Sequence, residues 1–114
     1  MIKIEIQRKN NRITYFKIKG HADFSGFGED VICAAVSSVG QMTINGLIET
    51  LKLQEKLEYV EKDGLITCDL KESELTDEEL EKADILIESM YSYLKAVARS
   101  YSEFVRLEEK IEKK

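Results

Sequence analysis

Over the first seven residues, MIKIEIQ, isoleucine alternates with a charged or amide side chain: Ile2, Ile4 and Ile6 against Lys3, Glu5 and Gln7. Successive side chains of a strand point to opposite faces, so this period of two predicts a strand with one dry face and one wet face. Asn10 and Asn11 follow, and asparagine tolerates positive φ and bonds its own backbone, so a turn is expected there. RITYFKIKG then resumes β-rich sequence, which makes residues 1–20 a hairpin.

The period then changes. From about Asp30 to Leu51, Ile32, Val36, Val39 and Met42 recur at three- and four-residue steps, the spacing of one helix face. Residues 31–48, VICAAVSSVGQMTINGLI, carry no charge over about the length of a short membrane helix. Ser37, Ser38, Gln41, Thr43 and Asn45 make the stretch too polar to span a bilayer. It reads instead as a central helix covered by a sheet on one side and by other structure on the second, with Asp30 as its N-cap.

KLEYVEK and LITCDLK predict two more strands, joined by Asp63-Gly64 in a tight turn whose two central residues are both expected at φ above zero. Thr76 followed three residues later by Glu79 is a capping box, in which side chains satisfy otherwise unpaired helical N–H groups. The helix that starts there has a dry face of Leu80, Ala83, Ile87, Met90, Leu94 and Val97. Beyond it the pattern divides. Tyr101 and Phe104 continue the helical spacing, whereas EFVRLEEKI alternates Val105, Leu107, Glu109 and Ile111 along one side.

With no proline, no repeat and no low-complexity run, nothing marks a linker, and residues 1–114 are expected to form one domain. The predicted fold is α+β, of order ββαββα, with a central buried helix packed on a sheet. A chain of 114 residues with 43% hydrophobic and 34% charged composition is large enough for a core of its own. Seventeen basic against twenty-two acidic residues leave a charge of -5, which argues against general nucleic-acid coating and leaves room only for a local basic patch. No direct nucleic-acid partner and no membrane partner are therefore expected. The charged, alternating N-terminus is unlike a signal peptide, so the cytoplasm is the expected compartment and Cys33 and Cys68 are expected to be free thiols.

Candidate chemistry concentrates in GHADFSGFGEDVICAAVSS, residues 20–38, where the single histidine, His21, precedes Cys33. A cysteine becomes a thiolate near neutral pH at a helix N-terminus or beside a histidine, and both conditions are available here. With Asp30 as N-cap, Cys33 would be the third helical residue, inside the turn where the macrodipole favours negative charge. The Asp30 carboxylate opposes this unless it is turned back onto the backbone. An imidazole in reach would take the thiol proton and return one to a leaving amine. Backbone N–H groups around Cys33 and Ala34, with Ser37 one turn on, are the candidate oxyanion donors. Asp23 and Asp30 are near enough in sequence to orient the imidazole.

Plainer readings stand beside this one. A buried cysteine on an apolar helix is commonly a small hydrophobe, and Cys68, in a strand, reads as packing. One histidine and two cysteines in separate elements lack the paired spacing of a zinc site, so neither metal nor cofactor is expected. A noncatalytic ribosome-associated or protein-binding module would use the hairpins and the acidic helix as surfaces. A redox-regulated thiol would need a resolving cysteine, and none lies nearby in sequence.

GHA followed by GEDVICAAVS resembles the signature of the bacterial ribosomal-processing cysteine protease (Prp) family. Gly20, His21 and Ala22 match one part of it, and Gly28, Asp30, Cys33, Ala34, Ala35 and Ser37 the other. The resemblance implies a Cys-His peptidase that trims the N-terminal extension of a large-subunit ribosomal protein precursor, the twenty-seventh in the usual naming. It casts His21 as general base and Cys33 as nucleophile. It also implies a homodimer, and a substrate-gating loop in Ala22, Asp23, Phe24, Ser25, Gly26, Phe27 and Gly28. Family members tend to end in a strand, which places a break near Ser100 to Ser102 and a strand in EFVRLEEKI, although the proline common at that break is absent here.

Overall fold

The computed structural model describes residues 1–20 and 29–112. The expected hairpin is formed by β1 (Ile2–Lys9) and β2 (Arg12–Lys19). Asn10 and Asn11 turn it, with φ of 53° and 67°. α1 (Glu29–Asn45) follows and runs on into a π-helical turn, Gly46–Thr50. β3 (Leu57–Lys62) and β4 (Leu65–Leu70) form the second hairpin. Gly64 alone takes a positive φ there, 77°, whereas Asp63 does not, so the turn needs one left-handed residue and not the expected two. α2 (Asp77–Ser100) opens with the capping box: the Glu79 N–H donates to the Thr76 hydroxyl at 3.1 Å and the Thr76 N–H to the Glu79 carboxylate at 2.9 Å. The helix stops at Ser100, and β5 (Val105–Glu112) completes the chain as the fifth strand.

The five strands make one sheet of order β3-β4-β2-β1-β5. β5 runs parallel to β1, while the other neighbours are antiparallel. Ile2, Ile4 and Ile6 of β1, Phe16 and Ile18 of β2, and Ile66, Cys68 and Leu70 of β4 all point to one face, where they join a single buried cluster. α1 and α2 contribute to that same cluster through Val36, Ile44, Ala83, Ile87, Met90 and Leu94, so both helices lie on one side of the sheet. The opposite face carries Lys3, Glu5, Lys17 and Arg106 towards solvent. Burial of one face against one helical layer is what the alternation in β1 requires.

The orientation of α1 departs from expectation. Val36 is buried, Ile32 and Val39 are half-buried, and Met42 is 68% exposed. Gly40 supplies the reason: a Cβ there would stand 2.7 Å from the Ile18 Cδ1 and 3.2 Å from the Ile66 Cδ1. α1 therefore approaches β2 and β4 along Val36, Gly40, Thr43 and Leu47, and the helix is rotated away from its most hydrophobic stripe. Its outer side, with Val31 at 69% exposed, is uncovered, so the uncharged stretch is buried on one side only.

Candidate active site

Gly20 continues β2 by one residue, its N–H donating to the Gly64 carbonyl at 3.1 Å. Its φ of 136° is one that L side chains rarely adopt, and a Cβ would lie 2.5 Å from the Met1 carbonyl oxygen. Glycine is thus required twice over, by conformation and by contact. It allows the start of β1, the end of β2 and the β3–β4 turn to crowd together at one corner of the sheet.

Cys33 reaches that corner from α1. The helix begins at Glu29, so Asp30 is its second residue and not its cap, and Cys33 is the fifth helical residue and not the third. The dipole effect, concentrated in the first turn, accordingly reaches the sulfur across one turn of helix. Cys33 is half-buried, and its thiol donates to the Gly20 carbonyl across 3.9 Å, the reach of a weak sulfur hydrogen bond. A cavity of about 500 Å³ opens beside it. Ile2, Ile18, Gly20, Cys33, Ser37 and Gln41 line one part of that cavity, and residues 61–66 of the second hairpin line the rest.

Of the residues expected at the site, the structure brings Cys33 and Ser37 together on this cavity. Ala34 is exposed and does not line it. His21 and the expected gating residues, Ala22, Asp23, Phe24, Ser25, Gly26, Phe27 and Gly28, lie outside the described residues, as does the side chain of Asp30. The neighbour of His21 is described, and it is Gly20, the residue whose carbonyl the Cys33 thiol contacts.

Two contributors were absent from the sequence reading. Gln41 follows Ser37 by four residues and Cys33 by eight, so it falls on the same helix face, a periodicity the sequence already displays. The β3–β4 turn reaches the cavity because β4 pairs with β2, a non-consecutive neighbour, and no local pattern signals that pairing. The second cysteine behaves differently. Cys68 is 1% exposed in β4, and burial, with a smaller contribution from the Asp69 charge, pushes its thiol up to about 12.

Comparison with known proteins agrees with this architecture. The chain is 32% identical over 108 residues to the ribosomal processing cysteine protease Prp of Bacillus subtilis, a match covering 94% of this chain and 96% of the relative. It is 24% identical to the Staphylococcus aureus protein of the same name over 94% of this chain and 97% of the relative. Among solved structures, a Streptococcus mutans protein superposes with a TM-score of 0.77 at 27% identity, covering 98% of this chain and 96% of that one. The Staphylococcus aureus protease, solved in complex with a substrate peptide, also gives a TM-score of 0.77, at 24% identity over 96% of this chain and all of that one. The family model for cysteine protease Prp matches residues 1–106, nearly the entire described fold with Cys33 on its cavity, and the chain belongs to that family.

Proposed function

We propose that this cysteine protease removes the N-terminal extension of a large-subunit ribosomal protein precursor, the twenty-seventh in the usual naming, with Cys33 as nucleophile and His21 as general base. A cysteine protease needs an accessible sulfur that can ionise. Cys68 is ruled out by its burial and its raised pKa, which leaves Cys33. The observation that carries the assignment is the 3.9 Å contact of the Cys33 thiol with the Gly20 carbonyl at the mouth of the cavity. Gly20 immediately precedes His21 in the sequence, which supports His21 as the partner of this sulfur.

In this mechanism the imidazole takes the thiol proton, and the thiolate attacks the scissile carbonyl carbon. The tetrahedral oxyanion collapses, the carbon–nitrogen bond breaks, and the imidazolium gives its proton to the leaving amine. Water, deprotonated by the same imidazole, then releases the acyl group from sulfur. Within α1 the amides of Cys33 and Ala34 are directed at carbonyls four residues back, so their use as oxyanion donors requires the first turn to open. The Ser37 hydroxyl already borders the cavity. Asp30 and Asp23 are the candidates to orient the imidazole, and residues 22–28 the loop that gates entry.

The cavity beside Cys33 leaves room for an extended substrate segment between α1 and the second hairpin. The relatives' name, ribosomal processing protease, supports the precursor as its source. The reading includes a homodimer, supported by apolar and aromatic groups on the outer side of the helices, Met42, Ile85 and Tyr93, each more than half exposed. It includes a cytoplasmic workplace, consistent with two free cysteines.

Intact-mass analysis after incubation with the precursor tests the proposal. A single N-terminal cut by the native protein, abolished in Cys33→Ala and in His21→Ala with the fold unchanged by circular dichroism, is expected. Retained cleavage by Cys33→Ala would overturn it.

A further inference from the structure

The face of the sheet opposite the helices carries one row that the peptidase chemistry does not use. Strand pairing sets Lys62 opposite Leu65, Leu65 opposite Lys19, Lys19 opposite Lys3, and Lys3 opposite Arg106. Paired residues project to the same face, so four cations and one leucine cross the sheet from β3 to β5 in a single line. At the usual interstrand spacing the line is roughly 19 Å long. Lys3, Lys19, Lys62 and Arg106 are all exposed, and among the described residues none of them makes an ion pair within 4.0 Å.

Like charges set directly opposite one another repel, so this row works against the sheet that displays it. Of the two adjacent carboxylates, Glu5 is engaged by Lys110 at 3.8 Å and by the Gln7 amide at 2.6 Å, which leaves Glu108, beside Arg106, to offset one end of the row. Lys3, Lys17, Lys19 and Arg106 also surround a depression of about 230 Å³, bordered on its far side by Glu5 and Glu108. The rest of the molecule is acidic, with a net charge of -5, so the row is a local reversal of sign. It lies at the end of the sheet that holds the Cys33 cavity: Lys19 precedes Gly20, and Lys62 borders both.

We propose that this row docks a single strand of RNA by its phosphate backbone, without base recognition. An unbranched polyanion of regular charge, one strand wide, matches a line of cations that crosses the sheet with Lys17, Glu5 and Glu108 in the adjoining row. The guanidinium of Arg106 suits phosphate geometry. The choice of RNA over an acidic protein segment rests on the ribosomal reading proposed above, since RNA is the abundant polyanion around a ribosomal substrate.

Fluorescence anisotropy of the full chain with a labelled, mixed-sequence single-stranded RNA tests this. Four phosphate contacts predict an affinity that falls about 50-fold between 50 and 200 mM salt, from a slope of about −0.7 per contact. The double variant Lys19→Glu/Arg106→Glu should abolish binding while its thermal midpoint holds or rises, because Lys3 then faces opposite charge on both sides. Lys52→Glu/Lys95→Glu, with the same charge change on other surfaces, should keep most of the binding. The proposal is overturned if RNA fails to bind at 50 mM salt, or if the two variants lose binding equally. It is also overturned if polyglutamate of matched charge displaces the RNA, which would make the occupant an acidic protein. The peptidase proposal stands on precursor cleavage and is unaffected by any of these results.

Discussion

Cys33 and Cys68 are the same residue type in opposite situations, one beside a cavity and the other sealed in β4. A thiol pushed up to about 12 by burial stays protonated at neutral pH and is a poor nucleophile. Iodoacetamide at pH 7.5 should therefore label the folded protein once, at Cys33, and twice only after unfolding; peptide mapping by mass spectrometry reads the site. The same raised value has a sign for stability. Above about 9, the ordinary thiol value, the unfolded chain's Cys68 ionises while the folded one does not, so stability should decline from there towards about 12. Gly20 is the second position where a single residue decides. Gly20→Ala forces a disfavoured φ and a clash with the Met1 backbone, and should cost about 1–3 kcal/mol, read as a lowered thermal midpoint. Cys33 and its spacing from His21 were legible in the sequence, and so was Ser37. Gln41 falls on the same face by the same four-residue step, but a glutamine carries no chemistry until a cavity lies in front of it.

At the scale of elements, local signals that stand on their own chemistry translated directly. The Thr76 box starts α2, and Thr76→Ala should cost about 1 kcal/mol by loss of the cap, measurable by chemical denaturation. Asn10 and Asn11 turn the first hairpin at positive φ as their side chains allow. Asp63-Gly64 turns the second differently from expectation, because a two-residue link can close with one left-handed residue when that residue is glycine. α1 shows the limit of a helical period. Its strongest apolar stripe includes Met42, yet Gly40 faces the sheet, because close approach to Ile18 and Ile66 rewards the side with no Cβ. With Asp30 as cap the first helical residue is expected two positions later than Glu29, and that shift matters because it moves Cys33 out of the first turn. Gly40→Ala should accordingly destabilise by about 1–3 kcal/mol through overpacking against two isoleucines, even though alanine favours helices.

At the scale of the molecule, β5 is held in place by a network that joins three elements distant in sequence. The Arg8 guanidinium pairs with Glu88 of α2, one N–H donating at 2.9 Å, and with Glu109 of β5. The Tyr91 hydroxyl donates to Glu109 at 2.7 Å, and Arg8 lies over the Tyr91 ring at 5.0 Å from its centroid. Tyr91 is thus committed within the chain, while Tyr93 and Tyr101 are exposed. The Tyr91 hydrogen bond, assisted by Arg8, lowers the Glu109 pKa below the ordinary carboxylate value of 4.5. A lowered acid contributes stability that is present above that value and is lost as pH falls through the folded-state pKa. Glu109→Gln should therefore weaken protection of β5 amides at pH 7, by hydrogen exchange, and leave less stability to be lost below pH 4.5.

Sequence alone determined the first four strands, the turn positions, the two helices and the short separation of the single histidine from Cys33 along the chain. These depend on side-chain period, on backbone freedom at single residues and on capping bonds, all of which act within a few positions. The resemblance to family members, not periodicity, ended α2 and made the last segment a strand. Only the tertiary structure decided that β5 lies parallel beside β1, that β4 lies beside β2, and that the second hairpin closes the cavity next to Cys33. It also decided that Lys62, Lys19, Lys3 and Arg106 stand in one row. Such neighbours are chosen by which faces bury best together, and burial is non-directional, so it leaves no local mark of which strand will lie beside which.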